Sequence, residues 1–118
     1  MMNRIYQKNH FDCFNSCLAT LTGVPKEQIP IFINNPGRYI QEARKWLAKN
    51  GFILSEIKAI DELDRRVNSI VAVDPYEFQS IFAAHAIIVR RGKVVHDPAR
   101  RKIKKQYEMV CGWEIRRA

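Results

Sequence analysis

The stretch Ala83-Ala-His-Ala-Ile-Ile-Val-Arg-Arg-Gly-Lys-Val-Val-His-Asp97 decides the fold class. Apolar residues run from Ala83 to Val89 around His85, and β-branched residues resume at Val94 and Val95. Two such runs joined by a short segment that contains glycine predict an antiparallel hairpin. Arg90-Arg91-Gly92 suits a three-residue loop, with Gly92 at its left-handed position. In that register Val89 faces Lys93, Ile87 faces Val95 and His85 faces Asp97. Directly opposed residues share a sheet face with Cβ atoms ~5 Å apart. A two-residue turn at Arg91-Gly92 slips the register by one and separates His85 from Asp97.

Working outward, Ser69 to Val73 is a β-branched strand that closes at Asp74-Pro75. Phe52 to Ile57 and Met109 to Ile115 read as further strands. Ile60, Leu63 and Val67 indicate a short helix between them. The N-terminal third has a different period. Asp12 is a helix N-cap, Cys17, Leu18 and Leu21 fall on one face, and Gly23 is a stop, so a helix is expected over Cys13 to Thr22. Val24-Pro25 breaks it, and Lys26 to Ile29 make one further turn. Asn35-Pro36 is a start signal, and Ile40, Ala43 and Leu47 carry a second helix to Asn50-Gly51. Trp46 and Trp113 read as core or cleft wall. Helices first and a mostly antiparallel sheet after them define an α+β protein. No repeat, low-complexity tract or linker divides the chain, so residues 1–118 read as a single domain.

The composition sets limits on function. Hydrophobic residues are 47% and charged residues 27% of the 118-residue chain, ordinary values for one globular core. No stretch approaches ~20 consecutive apolar residues, so no membrane partner is expected. Met1-Met-Asn-Arg-Ile-Tyr6 has no apolar signal core. Three cysteines at these spacings are not a disulfide framework, which fits a reducing cytoplasm. The net charge is +8, from 20 Lys and Arg against 12 Asp and Glu. Much of it lies between Arg90 and Lys105 and at Arg116 and Arg117. Such a basic C-terminal half suits an acidic protein or nucleic acid, and equally suits a solvated face.

Four residues carry a chemistry. Cys13 opens a helix, where backbone N–H dipoles favour a thiolate. Gln7 lies just upstream, and its amide can donate to an oxyanion formed when that thiolate attacks a carbonyl. His85 can take and return the proton, and Asp97 can hold the ring in the required tautomer. Asp74 is the alternative acid if the hairpin register differs. Cys17 and Cys111 read as packing residues and His10 as a loop residue. A zinc site from Cys13, Cys17, His85 and His96 is the weaker alternative, because the hairpin register puts His96 on the opposite face from His85.

These motifs resemble the papain-like cysteine peptidase superfamily, in particular the branch of small bacterial and phage proteins similar to bacteriocin leader peptidases. The matching parts are Gln7-x4-Asp12-Cys13, the run Cys17-Leu-Ala-Thr-Leu-Thr-Gly23, the strand beginning at His85, and Val95-His-Asp97-Pro98. Phe14 departs from the pattern, since the leader peptidases have glycine after the nucleophile. The resemblance implies a nucleophile helix packed on the sheet and a Cys13–His85–Asp97 triad with Gln7 at the oxyanion hole. It implies a thiol peptidase, isopeptidase or amidase that acts on a peptide or protein substrate without a cofactor. The second expectation is a papain-like binding module without turnover, docking an acidic partner or nucleic acid.

Overall fold

The computed structural model describes residues 4–6, 13–32, 38–74, 85–98 and 108–118. For residues 73, 74, 85 and 108–110 it describes the backbone alone. Two helices, α1 (Cys13–Thr22) and α2 (Tyr39–Lys49), precede a five-stranded sheet. Its strands are β1 (Phe52–Leu54), β2 (Ser69–Asp74), β3 (His85–Arg90), β4 (Lys93–His96) and β5 (Glu108–Arg117). The spatial order is β1-β5-β2-β3-β4, and every pair is antiparallel. The chain is therefore α+β, as the order of its periodic segments predicts.

One face of the sheet carries both helices. Leu18 of α1, Leu47 of α2, and Ile70 and Ile88 of the sheet are fully buried in one cluster with Phe52, Leu54, Trp113 and Ile115. Each such side chain contributes about 1.5–3 kcal/mol by leaving water. Strand alternation sends Val71, Ile87 and Val89 to the other face, where Ile60, Leu63 and Val94 cover them.

Several boundaries follow the expectation and others move. α1 has the expected span, closed where Gly23 N donates to Ala19 O at 3.0 Å. The second helix begins only at Tyr39, because Arg38 is outside helical backbone geometry (φ −135°, ψ 0°). The start signal at Asn35-Pro36 lies outside the described residues. β1 stops at Leu54 rather than Ile57. There Ser55 N still donates to Glu114 O at 2.9 Å, but Ser55 Oγ instead of the Ser55 carbonyl accepts from Glu114 N at 2.8 Å, so a side chain replaces half of the next rung. The helix expected at Ile60 is a single 3₁₀ turn, Ile60–Glu62.

The segment from Ser55 to Val67 crosses the sheet face that bears no helix. Gly112 makes the crossing possible. A Cβ there would come within 2.9 Å of Ile70 O and 3.1 Å of Leu63 Cδ1. Its bare backbone instead exchanges two hydrogen bonds with Lys58, at 2.9 and 3.0 Å. Glu114 then anchors the crossing although it is only 4% exposed. It accepts from Asp64 N at 2.7 Å and from Lys58 Nζ at 3.1 Å. These bonds, the Asp64 N–H first, hold its carboxyl below the usual range against the opposing effect of burial. Asp64 accepts from Arg66 Nε at 3.1 Å and Arg116 Nη2 at 2.9 Å. Those partners, Arg66 foremost, hold its carboxyl well below the carboxylate range.

Both carboxyls are depressed relative to the unfolded chain, whose values lie near ~4. Their stabilisation is therefore present above pH ~4 and lost as pH falls through the folded values. Glu114→Gln is expected to cost about 1–3 kcal/mol at neutral pH, the cost of unpairing buried hydrogen-bonding groups. It is also expected to flatten the acid limb of the stability curve. Urea midpoints at pH 3 and pH 7 check both; a variant that loses as much stability on acidification as the parent contradicts the assignment.

Candidate active site

Cys13 is the first residue of α1 and is 6% exposed. Asp12 and Gln7 lie outside the described residues, and so does the His85 side chain. The surroundings of Cys13 are nevertheless defined by what packs on the same helix. One turn on, Cys17 is fully buried, and its thiol donates to Ala86 O at 3.5 Å. Ala86 directly follows His85, so this contact seats the second turn of α1 on the start of β3. Burial pushes the Cys17 thiol well up, and the neighbouring Cys13 and Asp97 push it further. The Asp97 carboxylate thus acts on the side of the sheet that bears α1. Asp97 is 7% exposed and follows the last residue of β4. The structure therefore brings the start of α1, the backbone at Ala86 and Asp97 to one corner, where α1 meets the β3–β4 hairpin, while strand alternation assigns the position of His85, with Ile87 and Val89, to the face that bears no helix.

The floor of that corner is made of small residues. Across the sheet, Ala72 pairs with Cys111 on one side and Ala86 on the other. The next row in is bulky: Trp113, Ile70, Ile88 and His96 in register. Side-chain size along the two rows thus falls toward the end of the sheet where Cys13 sits. Tyr39 closes the α2 side. Its ring meets Phe14 edge-on at 5.8 Å, and burial, then Cys111 and Cys13, raise its hydroxyl pKa. Burial raises the Cys111 thiol as well. Trp113 is a core residue, and Trp46 is half-buried against the same core, edge-on to Phe32 at 6.2 Å.

The hairpin register differs from the expectation. Arg90 pairs with Lys93, so the loop is the two residues Arg91-Gly92, with φ of 55° and 72°. Two consecutive positive φ values make a type I′ turn, whose twist matches that of the strands. Arg91 pays about 1 kcal/mol for this backbone. Arg65 offsets that cost by a reciprocal pair: Arg91 N donates to Arg65 O, and Arg65 Nη2 donates to Arg91 O, each at 3.0 Å. Val89 pairs with Val94, a bulge follows, and Ile88 pairs with His96. The ladder ends at Ile88–His96, so Asp97 follows the strand and is not paired opposite His85. Asp74, the alternative acid, ends β2 in register with Glu108, and its side chain lies outside the described residues.

His96 has a role that the sequence did not reveal. It pairs with Ile88 on the helix side and its Nε2–H donates to Ile5 O at 2.7 Å, since a carbonyl can only accept. Tyr6 meets the His96 ring edge-on at 5.0 Å. Ile5 N donates to Thr20 Oγ1 at 2.9 Å, Lys26 Nζ to Tyr6 O at 2.9 Å, and Arg4 Nε to Val95 O at 3.3 Å. Residues 4–6 are thus stapled between α1 and β4, and Gln7 follows by one peptide bond. Among the described residues, no three His, Cys, Asp or Glu side chains converge on one point. No helix of the described residues is long and apolar enough to cross a membrane. In comparisons with known proteins, no family model, curated protein or solved structure matches this chain.

Proposed function

We propose that the chain is a small papain-like thiol acyl-transfer enzyme, most simply a peptidase, isopeptidase or amidase of the cytoplasm. Cys13 is the nucleophile, His85 the base, Asp97 the orienting acid and Gln7 the oxyanion donor. One observation carries the reading. The turn of α1 that follows Cys13 is seated through Cys17 on Ala86, next to His85, and Asp97 is among the groups that raise the Cys17 thiol. These contacts support a site assembled from three distant parts of the sequence.

The reaction follows from these parts. His85 removes the Cys13 proton, and the sulfur attacks the substrate carbonyl carbon. The carbonyl π electrons move to oxygen, and that oxyanion receives N–H donors from Gln7 and the α1 backbone. The tetrahedral intermediate collapses, the C–N bond breaks, and the imidazolium of His85 protonates the leaving amine. Water, deprotonated by His85, then attacks the thioester and frees the acid and the thiol. The test is acylation by p-nitrophenyl acetate, followed by peptide mapping of the acid-quenched protein. A burst of nitrophenol with acetyl on Cys13 is expected. Acetyl distributed over lysines with no label on Cys13 contradicts the reading.

His96 gives a second check, because the staple on residues 4–6 sets where Gln7 begins. His96→Ala is expected to lower kcat for the ester by about tenfold, the loss of one well-placed hydrogen bond, with KM nearly unchanged. Steady-state kinetics decide it; a change confined to KM removes His96 from this role.

The second reading is a papain-like module without turnover that docks an acidic protein or nucleic acid through its basic half. The observation that favours it is the burial of Cys13 at 6% exposure. Exposed Arg90, Arg91, Lys93, Arg116 and Arg117 supply its charge. The remaining basic residues, Arg100 to Lys105, lie outside the described residues.

A further inference from the structure

The tip of the β3–β4 hairpin concentrates positive charge. Arg90, Arg91, Gly92 and Lys93 are all exposed, and the run contains no acid. Among the described residues, no ion pair involves these three side chains. Asp64, next to Arg65 in the chain, is already engaged by Arg66 and Arg116. The three cations leave the hairpin in different directions. Val89 belongs to the face that bears no helix, so strand alternation puts Arg90 on the other face, and Lys93 pairs with it there. Arg91 stands at the turn itself. Arg4 adds a fourth exposed guanidinium at the edge strand β4, where its Nε donates to Val95 O at 3.3 Å. The end of the hairpin is thus cationic at one face, at its edge and at its turn.

The residue at the turn is a second observation. The first position of a type I′ turn needs a left-handed backbone, which glycine, asparagine and aspartate adopt more readily than arginine. Arg91 adopts it, with φ of 55°. Arg65 holds that backbone through Arg91 N and Arg91 O, atoms that any residue at this position would supply. The Arg91 guanidinium therefore plays no part in holding the turn. A residue kept in a strained conformation, with a side chain the fold does not use, points to a role outside the fold.

The chemistry of the tip selects its partner. Protein interfaces are built round buried apolar anchors. The exposed large apolar side chains of the described residues are Ile31, Ile53 and Ile57, none of them in the hairpin, and Ile53 lies in β1 at the opposite edge of the sheet. Single-strand binders stack bases on aromatic side chains, and residues 90–93 include none. What remains is charge arranged round a rigid turn, which suits the phosphates of a duplex and carries no sequence information. Guanidinium groups bond phosphate oxygens in pairs. We propose that the β3–β4 tip binds the phosphate backbone of duplex nucleic acid, independently of sequence, through Arg90, Arg91 and Lys93. The proposal rests on the second reading, a basic binding half, and does not depend on the Cys13 chemistry.

The test is fluorescence anisotropy of a labelled mixed-sequence DNA duplex titrated with the full chain, repeated as salt rises from about 50 to 200 mM. Each phosphate neutralised contributes about −0.9 to the slope of log affinity against log salt. Arg91→Gly removes a guanidinium while keeping the turn, because glycine accepts positive φ. It is expected to make the slope shallower by about 1 and to weaken binding roughly tenfold at the low-salt end. Lys93→Gln should do the same, and a duplex of unrelated sequence should give the same values. Lys49→Gln removes one charge at the end of α2, a helix whose Arg44 bonds Leu54 O and Ser55 O at the far edge of the sheet. It should leave the slope unchanged. An RNA duplex of the same sequence binding more tightly than the DNA assigns the tip to RNA, and weaker binding assigns it to DNA. Binding whose slope Arg91→Gly and Lys93→Gln leave unchanged, or which Lys49→Gln weakens as much, overturns the tip and spares the basic half. Absence of binding at low salt overturns both. Poly-glutamate displacing the duplex as well as unlabelled duplex does overturns the phosphate assignment in favour of an acidic protein.

Discussion

Cys13→Ala is expected to reduce p-nitrophenyl acetate turnover to the buffer background. In other enzymes, removing the nucleophile of a Cys- or Ser-type triad costs on the order of 10⁶-fold in kcat. The remaining groups then have no covalent step to assist. The fold should persist, because only one sulfur atom leaves a site where Cys17, Leu18 and Ala19 keep α1 packed on β3. The cost in stability should be about 1–2 kcal/mol for the small cavity. Circular dichroism and a urea midpoint separate the two effects. Turnover retained in a folded Cys13→Ala protein rules out this nucleophile, and Cys111 would be the next candidate.

Gln7→Ala is expected to produce the second largest effect, a fall in kcat of about 100-fold or more. That is the loss seen when one oxyanion donor is removed. The amide acts on charge that exists only in the transition state, so KM and the urea midpoint should change little. Cys13→Ala serves as the reference for substrate binding without chemistry. A Gln7→Ala protein with altered KM alone, or with unchanged kinetics, makes Gln7 an ordinary loop residue. The oxyanion would then rest on backbone N–H groups at the start of α1.

How much of this was legible in the sequence depended on how local the cause was. α1 could be read to its last residue, because Gly23 and the apolar face Cys17, Leu18 and Leu21 all act within one helix. β2 was legible for the same reason: a β-branched run that closes at Asp74-Pro75. The hairpin loop was not. Arginine rarely takes a left-handed backbone, and the bonds that hold Arg91 there come from Arg65, which is 26 residues upstream. The early end of β1 depends on Ser55 finding Glu114, 59 residues away.

The candidate site divides along the same line. The types and order of Gln7, Cys13, His85 and Asp97 are sequence features, and so is the helix start. That Ala86, next to His85, meets α1 at Cys17 is a product of tertiary packing. The staple on residues 4–6 was invisible, because His96 and Ile5 are 91 residues apart and neither belongs to a motif. A histidine next to Asp97 was the only local hint, and it pointed to metal ligation rather than to holding the N-terminal segment.

Substoichiometric iodoacetamide at neutral pH, with the labelled cysteine mapped over time, tests the central claim most directly. Exposure and reactivity make opposite predictions here. Cys111 is the most exposed of the three thiols, and Cys13 and Cys17 are buried. Burial raises the Cys17 and Cys111 thiols above their ordinary value, which keeps both in the unreactive protonated form near pH 7. A Cys13 activated by His85 at a helix start should therefore be labelled first and fastest, with Cys111 trailing and Cys17 protected. Labelling of Cys111 ahead of Cys13, or equal rates at all three cysteines in the folded protein, would contradict a catalytic Cys13.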